Sequence, residues 1–548
     1  MRADMVWVPD LALGPQTWGL GSALPRAVPS DAVIGLLDEV VPGALLQSIV
    51  LLASLVGGAW GARALVPRAH TVARLVAVTW WVWNPFVAER LLMGHWPVLV
   101  GTAVLPWLVV WARLPARRRL IRYSVVLPWA SLSAGAGVAS ATVALLAGWR
   151  DSSQRARLAL VAVVAASNAP WIVAGLAHGA GARSSSAGAE VFAARAWGDL
   201  PVWLQVLDLG GIWNADAVLD SRHGAHALVS VVVVMSLAAF GWRTWLSWTT
   251  TGQRVALIGA AAVGWGIALL GALLPELVGW LAQHVAGAGL LRDSSRFLAL
   301  AAPGVVLAVA AGADRVVRCV PGRTGGAALS LAVVLAPVAL LPDLAWGASG
   351  RLDAVDYPPE FAAAARALQV DQAAGVRGDV LLMPFSSYRA PAWNAHRKVI
   401  DPSGRYVTSD FVTNDALVVG EVEVAGEDPR AVAVLAALKA PSPAREVELR
   451  RLGIAHVLRT KGPDVDRIEG PKAARVRGTT LFDSPTLQLV ALEGAVRSWP
   501  GPGRLSQAAV YGAWGSYFLL WAGGIGAAGW RAWARLRTKR GQGHAHSG

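Results

Sequence analysis

The chain has 548 residues, 55% of them hydrophobic and 15% charged, with a mean hydropathy of +0.47. A water-soluble protein carries about 45–50% apolar and about 25% charged residues, so this composition excludes one and defines an integral membrane protein. The formal charge of +14 would suggest nucleic acid in a soluble chain, but the basic residues gather beside apolar runs as topology determinants, and no nucleic-acid partner is expected.

Residues 1–40 carry Asp4, Asp10, Asp31, Asp38 and Glu39 and have no apolar core behind a basic start, so they are not a secretory signal. Apolar stretches long enough for about 30 Å of hydrocarbon follow at 41–62, 72–88, 96–112, 158–177, 225–246, 255–281, 297–313, 326–346 and 506–530. The run at 123–148 is apolar but interrupted by Pro128, Gly135 and Gly137. Counting this run, the expected fold is a polytopic α-helical membrane protein of about nine to eleven transmembrane helices.

Orientation comes from arginine and lysine in short loops. Arg113, Arg117, Arg118, Arg119 and Arg122 mark one cytoplasmic loop, Arg150, Arg155 and Arg157 a second, and Arg315, Arg318 and Arg323 a third. The basic tail at 531–548 is then cytoplasmic too. With both of its flanks cytoplasmic, 123–148 enters and returns on one side as a re-entrant hairpin, which must line protein or a wet cavity. The same parity puts residues 1–40 outside as a first outer-face loop, and the expectation is that a preceding helix is missing. The loop at 178–224 is outside as well, its stretch DLPVWLQVLDLGGIW lying along the interface with Trp197, Trp203 and Trp213 at headgroup depth.

Residues 350–500 read as a small extracytoplasmic α/β domain. Helix-like runs PPEFAAAARALQ and DPRAVAVLAALK alternate with strand-like runs DVLLMPF, IAHVLRT and LQLVAL. Neither a Walker loop nor a dinucleotide-binding glycine fingerprint occurs there. The single Cys319 excludes a disulfide framework and a cysteine-based metal site, and the ten histidines show no HExxH spacing. No cofactor is expected, and a divalent cation has no ligand motif to hold it.

The segments WNPFVAERLLMGHWPVLVG at 83–101, LLRDSSRF at 290–297 and DVLLMPFSSYRAPAWNAHRKVIDPSGRY at 379–406 resemble actinomycete membrane proteins of the GT-C glycosyltransferase superfamily, including the large arabinofuranosyltransferases. The resemblance covers most of the chain and makes 41–346 the GT-C-like transmembrane part. It implies a sugar donor carried on polyprenyl phosphate, a cell-envelope glycan or lipid as acceptor, and a catalytic carboxylate in the first outer-face loop. Asp4 is the position that matches first and Asp10 second. The two stand six residues apart, unlike the commoner paired-acid patterns, and this spacing gives no support to a metal.

Transfer from a lipid phosphate needs a base for the acceptor hydroxyl and a cation for the departing phosphate. On the resemblance, Asp4 or Asp10 is the base. Arg90, Arg292 and Arg296 are candidate phosphate ligands, and Glu89, His95 and Asp293 sit in the same loops to orient them. Each has a structural alternative. Glu89–Arg90 and Arg292–Asp293 are also ordinary ion pairs, His95–Trp96 is also an interfacial boundary, and Asp4 is also a solvated terminus. Two functions remain open on these residues, an enzyme and a non-catalytic glycan-binding or assembly relative; a transporter is less favoured because the spans carry few ionisable residues.

The parity makes a direct forecast. In whole cells, a cysteine introduced within 350–500 reacts with an impermeant thiol reagent and Cys319 does not; labelling in the reverse sense would invert the topology.

Overall fold

A computed structural model describes residues 4–150, 153–178, 185–419, 422–462 and 474–543. The basic tail beyond 543 lies outside them, as do the side chains of 534–543. Among the described residues, five helices are long and apolar enough to cross a membrane: Gly43–Leu65, Gln154–His178, Ala225–Trp248, Thr251–Leu273 and Arg323–Leu340. A sixth arises if Ser294–Leu300 and Ala302–Cys319, bent by 50° at their junction, count as one span. This is fewer than the nine apolar stretches of the sequence, and the reasons are local. The stretch at 72–88 is two helices, Thr71–Val82 and Pro85–Met93, because the Asn84 side chain accepts from the Val87 N–H and caps a new helix whose first residue is proline. Trp96–Trp111 has 16 residues, about 24 Å of helix, short of the roughly 30 Å of a full span. The stretch at 506–530 falls within the helix Arg504–Gly543.

The interrupted run at 123–148 forms a helical hairpin, Ala116–Ala130 and Ala134–Gly148. Its two ends meet, since Arg119 Nη2 donates to the Gly148 carbonyl at 3.0 Å. At the tip, Ser131 and Leu132 are fully buried. The Ser131 hydroxyl donates to the Ser167 carbonyl at 2.6 Å, and Ser133 caps the returning helix. The backbone break is therefore satisfied inside protein, as non-helical chain in an apolar setting requires. Trp197 donates to the Ile212 carbonyl at 2.6 Å and Trp213 packs edge-on against Phe192, which leaves Trp203 as the exposed ring of the three.

Residues 360–491 contain a five-stranded sheet in the order Phe411–Val412, Asp379–Met383, Ile454–Thr460, Leu487–Ala491, Thr479–Asp483; the first three strands are parallel and the last two pairings antiparallel. Strand DVLLM is apolar nearly throughout because both faces are covered. Val380 and Leu382 pack with Phe361 and Leu368 of the helix Glu360–Ala373, while Leu381 and Met383 pack with Val434 and Leu449 of Pro429–Leu438 and Ala444–Arg451.

The N-terminal segment is wedged between this α/β unit and the helices. Met5, Val6, Trp7 and Val8 are buried with Trp96, Leu132 and Val399. Polar ties hold it on the α/β side: Gln16 Nε2 to Asp410 at 2.6 Å, the Ser22 N–H to Asp410 at 2.7 Å, Arg405 to Asp31 at 3.1 Å and Arg430 to the Ser22 hydroxyl at 2.6 Å. Asp4 is thus no solvated terminus.

Among the helices, Ala225–Trp248 and Ala302–Cys319 approach closely at glycines. A methyl group on Gly312 would collide with the Leu237 carbonyl and one on Gly241 with the Gly312 backbone, the small-residue contact by which apolar helices gain dispersion energy. In thermal unfolding of the purified protein, Gly312→Ala lowers stability by about 1–3 kcal/mol. Gly326→Ala, with open space around the position, has no such cost and gains up to about 1 kcal/mol of helix preference. Equal stability of the two variants would disprove the close contact.

Candidate functional site

The helix Pro85–Met93 ends at Gly94, which takes the left-handed conformation (φ 79°) and donates its N–H to the Arg90 and Leu91 carbonyls. This reversal folds His95 back toward Arg90, so residues five apart meet: Arg90 Nη1 lies 3.0 Å from His95 Nδ1. Gly94 is also where the N-terminal segment crosses. A side chain there would strike the Met5 backbone, and the Asp4 N–H donates to the Met93 carbonyl at 3.1 Å. Asp4 is therefore pinned over the turn, and its Oδ2 lies 3.0 Å from His95 Nε2.

The site's next segment is the turn after Leu291. Asp293 and Arg296 stand three apart at the start of the 3-10 segment Ser294–Leu300, where positions i and i+3 eclipse, and they pair at 2.5 Å. Arg90 reaches the same turn, donating to the Ser295 hydroxyl at 2.6 Å with Asp293 at 3.7 Å; Ser295 in turn donates to Asp293 at 3.0 Å. The α/β unit adds Tyr388, whose hydroxyl donates to Asp4 Oδ1 at 2.6 Å. Tyr388 is fixed by a short antiparallel pairing with Ile400 and by its neighbour Arg389, which is buried against Asp401 at 2.8 Å.

One histidine tautomer satisfies the two shorter contacts, with Arg296 Nη2 standing further off at 3.5 Å from Nε2. Arginine only donates, so His95 Nδ1 accepts from Arg90 and Nε2 carries the hydrogen that Asp4 accepts. Burial, reinforced by the Arg296 charge, holds the imidazole pKa below its usual value and keeps the ring neutral at neutral pH. For Asp4, burial pushes upward, but the His95 and Tyr388 hydrogen bonds and the Arg296 charge outweigh it and leave the carboxyl below its ordinary range. Asp293 follows the same balance, with Arg296 and Arg90 bringing it to about 2. Both carboxyls are ionised. Exposure separates a floor from a mouth: the Arg90 side chain is 0% exposed, whereas Asp4 and Arg296 are 26% and 35% exposed.

Of the residues singled out from sequence, Asp4, Arg90, His95, Asp293 and Arg296 thus form one cluster. Three do not join it. Asp10 is exposed on the far side of the buried Val6–Val8 run, beside Asp38. Arg292 turns away to pair with Glu427 of the α/β unit at 2.9 Å. Glu89 points backward and accepts the Gly211 N–H at 3.0 Å near Arg222, itself paired with Asp208 at 2.8 Å. Ser295 and Tyr388 join without having been singled out, although both lie inside segments that carry the family resemblance. Among the described residues, no group of three or more His, Cys, Asp or Glu side chains stands close enough to hold a metal.

Its apolar helices make this a membrane protein, and its fold is shared with a solved arabinofuranosyltransferase. The arabinofuranosyltransferase AftD from Mycobacteria superposes with a TM-score of 0.54 at 17% identity, over 90% of this chain and 37% of that one. A mutant form of AftD, in one of two classes, gives 0.51 at 18% identity, over 90% and 38%. The chain therefore spans well under half the length of these neighbours. No known family model matches the sequence, and no curated protein matches it.

Glu89 offers a pH test of the wall behind the cluster. Burial raises its carboxyl from 4.5 to about 7 against the pull of Arg90 and Arg222. A raised carboxyl contributes stability below its unfolded value and loses it as pH rises toward the folded one, so wild type loses this contribution between about pH 4.5 and 7. Glu89→Gln keeps an acceptor for Gly211 without titrating. Its melting temperature relative to wild type should rise from pH 5 to pH 8; a constant difference would place Glu89 in a solvated setting.

Proposed function

We propose that the protein is a membrane glycosyltransferase moving a sugar from a polyprenyl-phosphate donor to a cell-envelope glycan or lipid acceptor on the outer face. In this reading the α/β unit is outside and the C-terminal tail is in the cytoplasm. The observation that carries the proposal lies at the mouth of the cluster: an ionised carboxylate, Asp4, and an arginine, Arg296, both face His95 Nε2 and are partly open while their supports are buried.

The chemistry assigns a role to each residue. Asp4 takes the proton of the acceptor hydroxyl as its oxygen bonds to the anomeric carbon, while the bond from that carbon to the phosphate oxygen breaks. Arg296 lies where the phosphate gains charge, and a guanidinium suits that oxygen pair. His95 and Tyr388 hold the two carboxylate oxygens in place and do not react. Their hydrogen bonds weaken Asp4 as a base, which is compensated by its being ionised and fixed in position. Arg90 and Asp293 secure His95 and Arg296. Arg292, paired with Glu427, is a tie between the α/β unit and the helices.

The test is transfer from a radiolabelled polyprenyl-phosphate pentose or hexose to an oligosaccharide acceptor in membranes. Asp4→Asn should lower turnover by about 10²–10⁴-fold with normal insertion and abundance. Arg296→Ala should act mainly on KM for the donor, and Asp10→Asn should leave transfer near wild type. Full activity in Asp4→Asn would remove Asp4 as base. Transfer by wild type with none of the donors would instead favour a glycan-binding or assembly protein that kept the fold.

A further inference from the structure

The α/β unit has a second concentration of arginine that shares no residue with the Asp4 cluster. An open surface pocket of about 190 Å³ is lined by Val447, Arg450, Arg451, Ala495 and Arg497, of which Arg450 is partly buried. One water needs roughly 10–15 Å³ on such a measure, so the space admits a polyatomic group. Arg450 and Arg451 come from the end of the helix Ala444–Arg451, and Arg497 from the segment returning past the last strand, whose N–H donates to the Arg450 carbonyl at 3.1 Å. Gly494 makes the pocket possible. It sits at φ 106°, a conformation open to glycine, and the Arg450 guanidinium lies so close against it that a side chain there would collide with Nη1.

The charges in this pocket are not neutralised from within. Arg451 pairs with Glu448 at 3.2 Å. Among the described residues no ion pair holds Arg450 or Arg497, and the buried Arg450 Nε has no hydrogen-bond partner. A buried donor left unmade costs about 1–3 kcal/mol, more when charged, so it calls for an acceptor from outside. Arginines in a last helical turn also complement the helix dipole. That accounts for Arg450 and Arg451, but not for Arg497 on another segment, the open cavity between them or the unpaired Nε.

We infer that this pocket binds a phosphate monoester, carried either on a lipid headgroup or on a soluble phosphorylated molecule. Three guanidinium groups less the Glu448 carboxylate leave two positive charges, which matches a phosphate of about −1.5 to −2 at pH 7 better than a single carboxylate. Guanidinium forks also fit the geometry of paired phosphate oxygens.

The experiment is calorimetric titration of the full chain in phosphatidylcholine nanodiscs with two probes, a short-chain phosphatidic acid and glucose 1-phosphate. Arg296 is itself placed against a phosphate, so each titration is repeated in Arg296→Ala. Saturable binding is expected in wild type and in Arg296→Ala. It should weaken by about tenfold or more in Arg450→Gln and Arg497→Gln. Ala495→Glu, which puts a carboxylate into the cavity from an exposed position, should abolish it without lowering the melting temperature. Tighter binding of the lipid would assign the phosphate to a headgroup, and equal binding would show that the phosphate alone is read. Binding that survives Ala495→Glu unchanged, or no saturable binding of either probe up to about 10 mM, would overturn the inference.

Discussion

The Asp4 carboxylate is the point at which three parts of the chain converge. One oxygen takes a hydrogen bond from Tyr388 of the α/β unit and the other faces His95 between two helices, while Asp4 itself belongs to the N-terminal segment. A carboxylate only partly open to water is costly unless each oxygen has a donor and a cation stands near. Here both conditions are met by groups far apart in sequence. The α/β unit, the N-terminal segment and the helices therefore cannot shift independently without leaving a buried charge short of a partner. The further ties of Asp31 to Arg405 and Arg430 to Ser22 and Asp379 extend the same constraint along the interface.

Burial of Arg90 follows from it. A guanidinium with no solvent contact is tolerated because His95 and Ser295 face its two terminal nitrogens and Asp293 stands near enough to balance its charge. The left-handed Gly94 is the backbone device that allows this, since it reverses the chain between Arg90 and His95 and leaves room for Met5 to cross. A polar floor is thus built from local turns, and only its two outermost groups remain open.

Much of the framework was legible in the sequence. The continuous apolar strand DVLLM, the helices near 360 and 429, and the hairpin at 123–148 follow from period, length and breaker residues. The division of 72–88 was also written there, in an asparagine followed by proline, but a long apolar run outweighed it. The site was only partly readable. Arg292 and Arg296 stand four apart, a spacing that shares a face on an α-helix, yet the chain enters a 3-10 turn that pairs Asp293 with Arg296 and sends Arg292 elsewhere. Asp4 and Asp10 differ in nothing that composition or spacing detects. What separates them is the buried run Met5–Val8, which fixes one side of the segment in the protein and leaves the other in water. Tyr388 lies 384 positions from its partner, and no local pattern announces a contact of that kind.

The contact between Arg90 and His95 bears on where a proton can go. Its inner nitrogen already accepts from Arg90, and a guanidinium does not release its proton in a protein. A proton arriving at Asp4 therefore has no onward carrier through His95 toward the helices. It can leave only by the mouth through which it came. Under the proposed chemistry, the fully buried Arg90 closes the inner side of His95, and a proton taken up by Asp4 returns to the partly open side of the cluster.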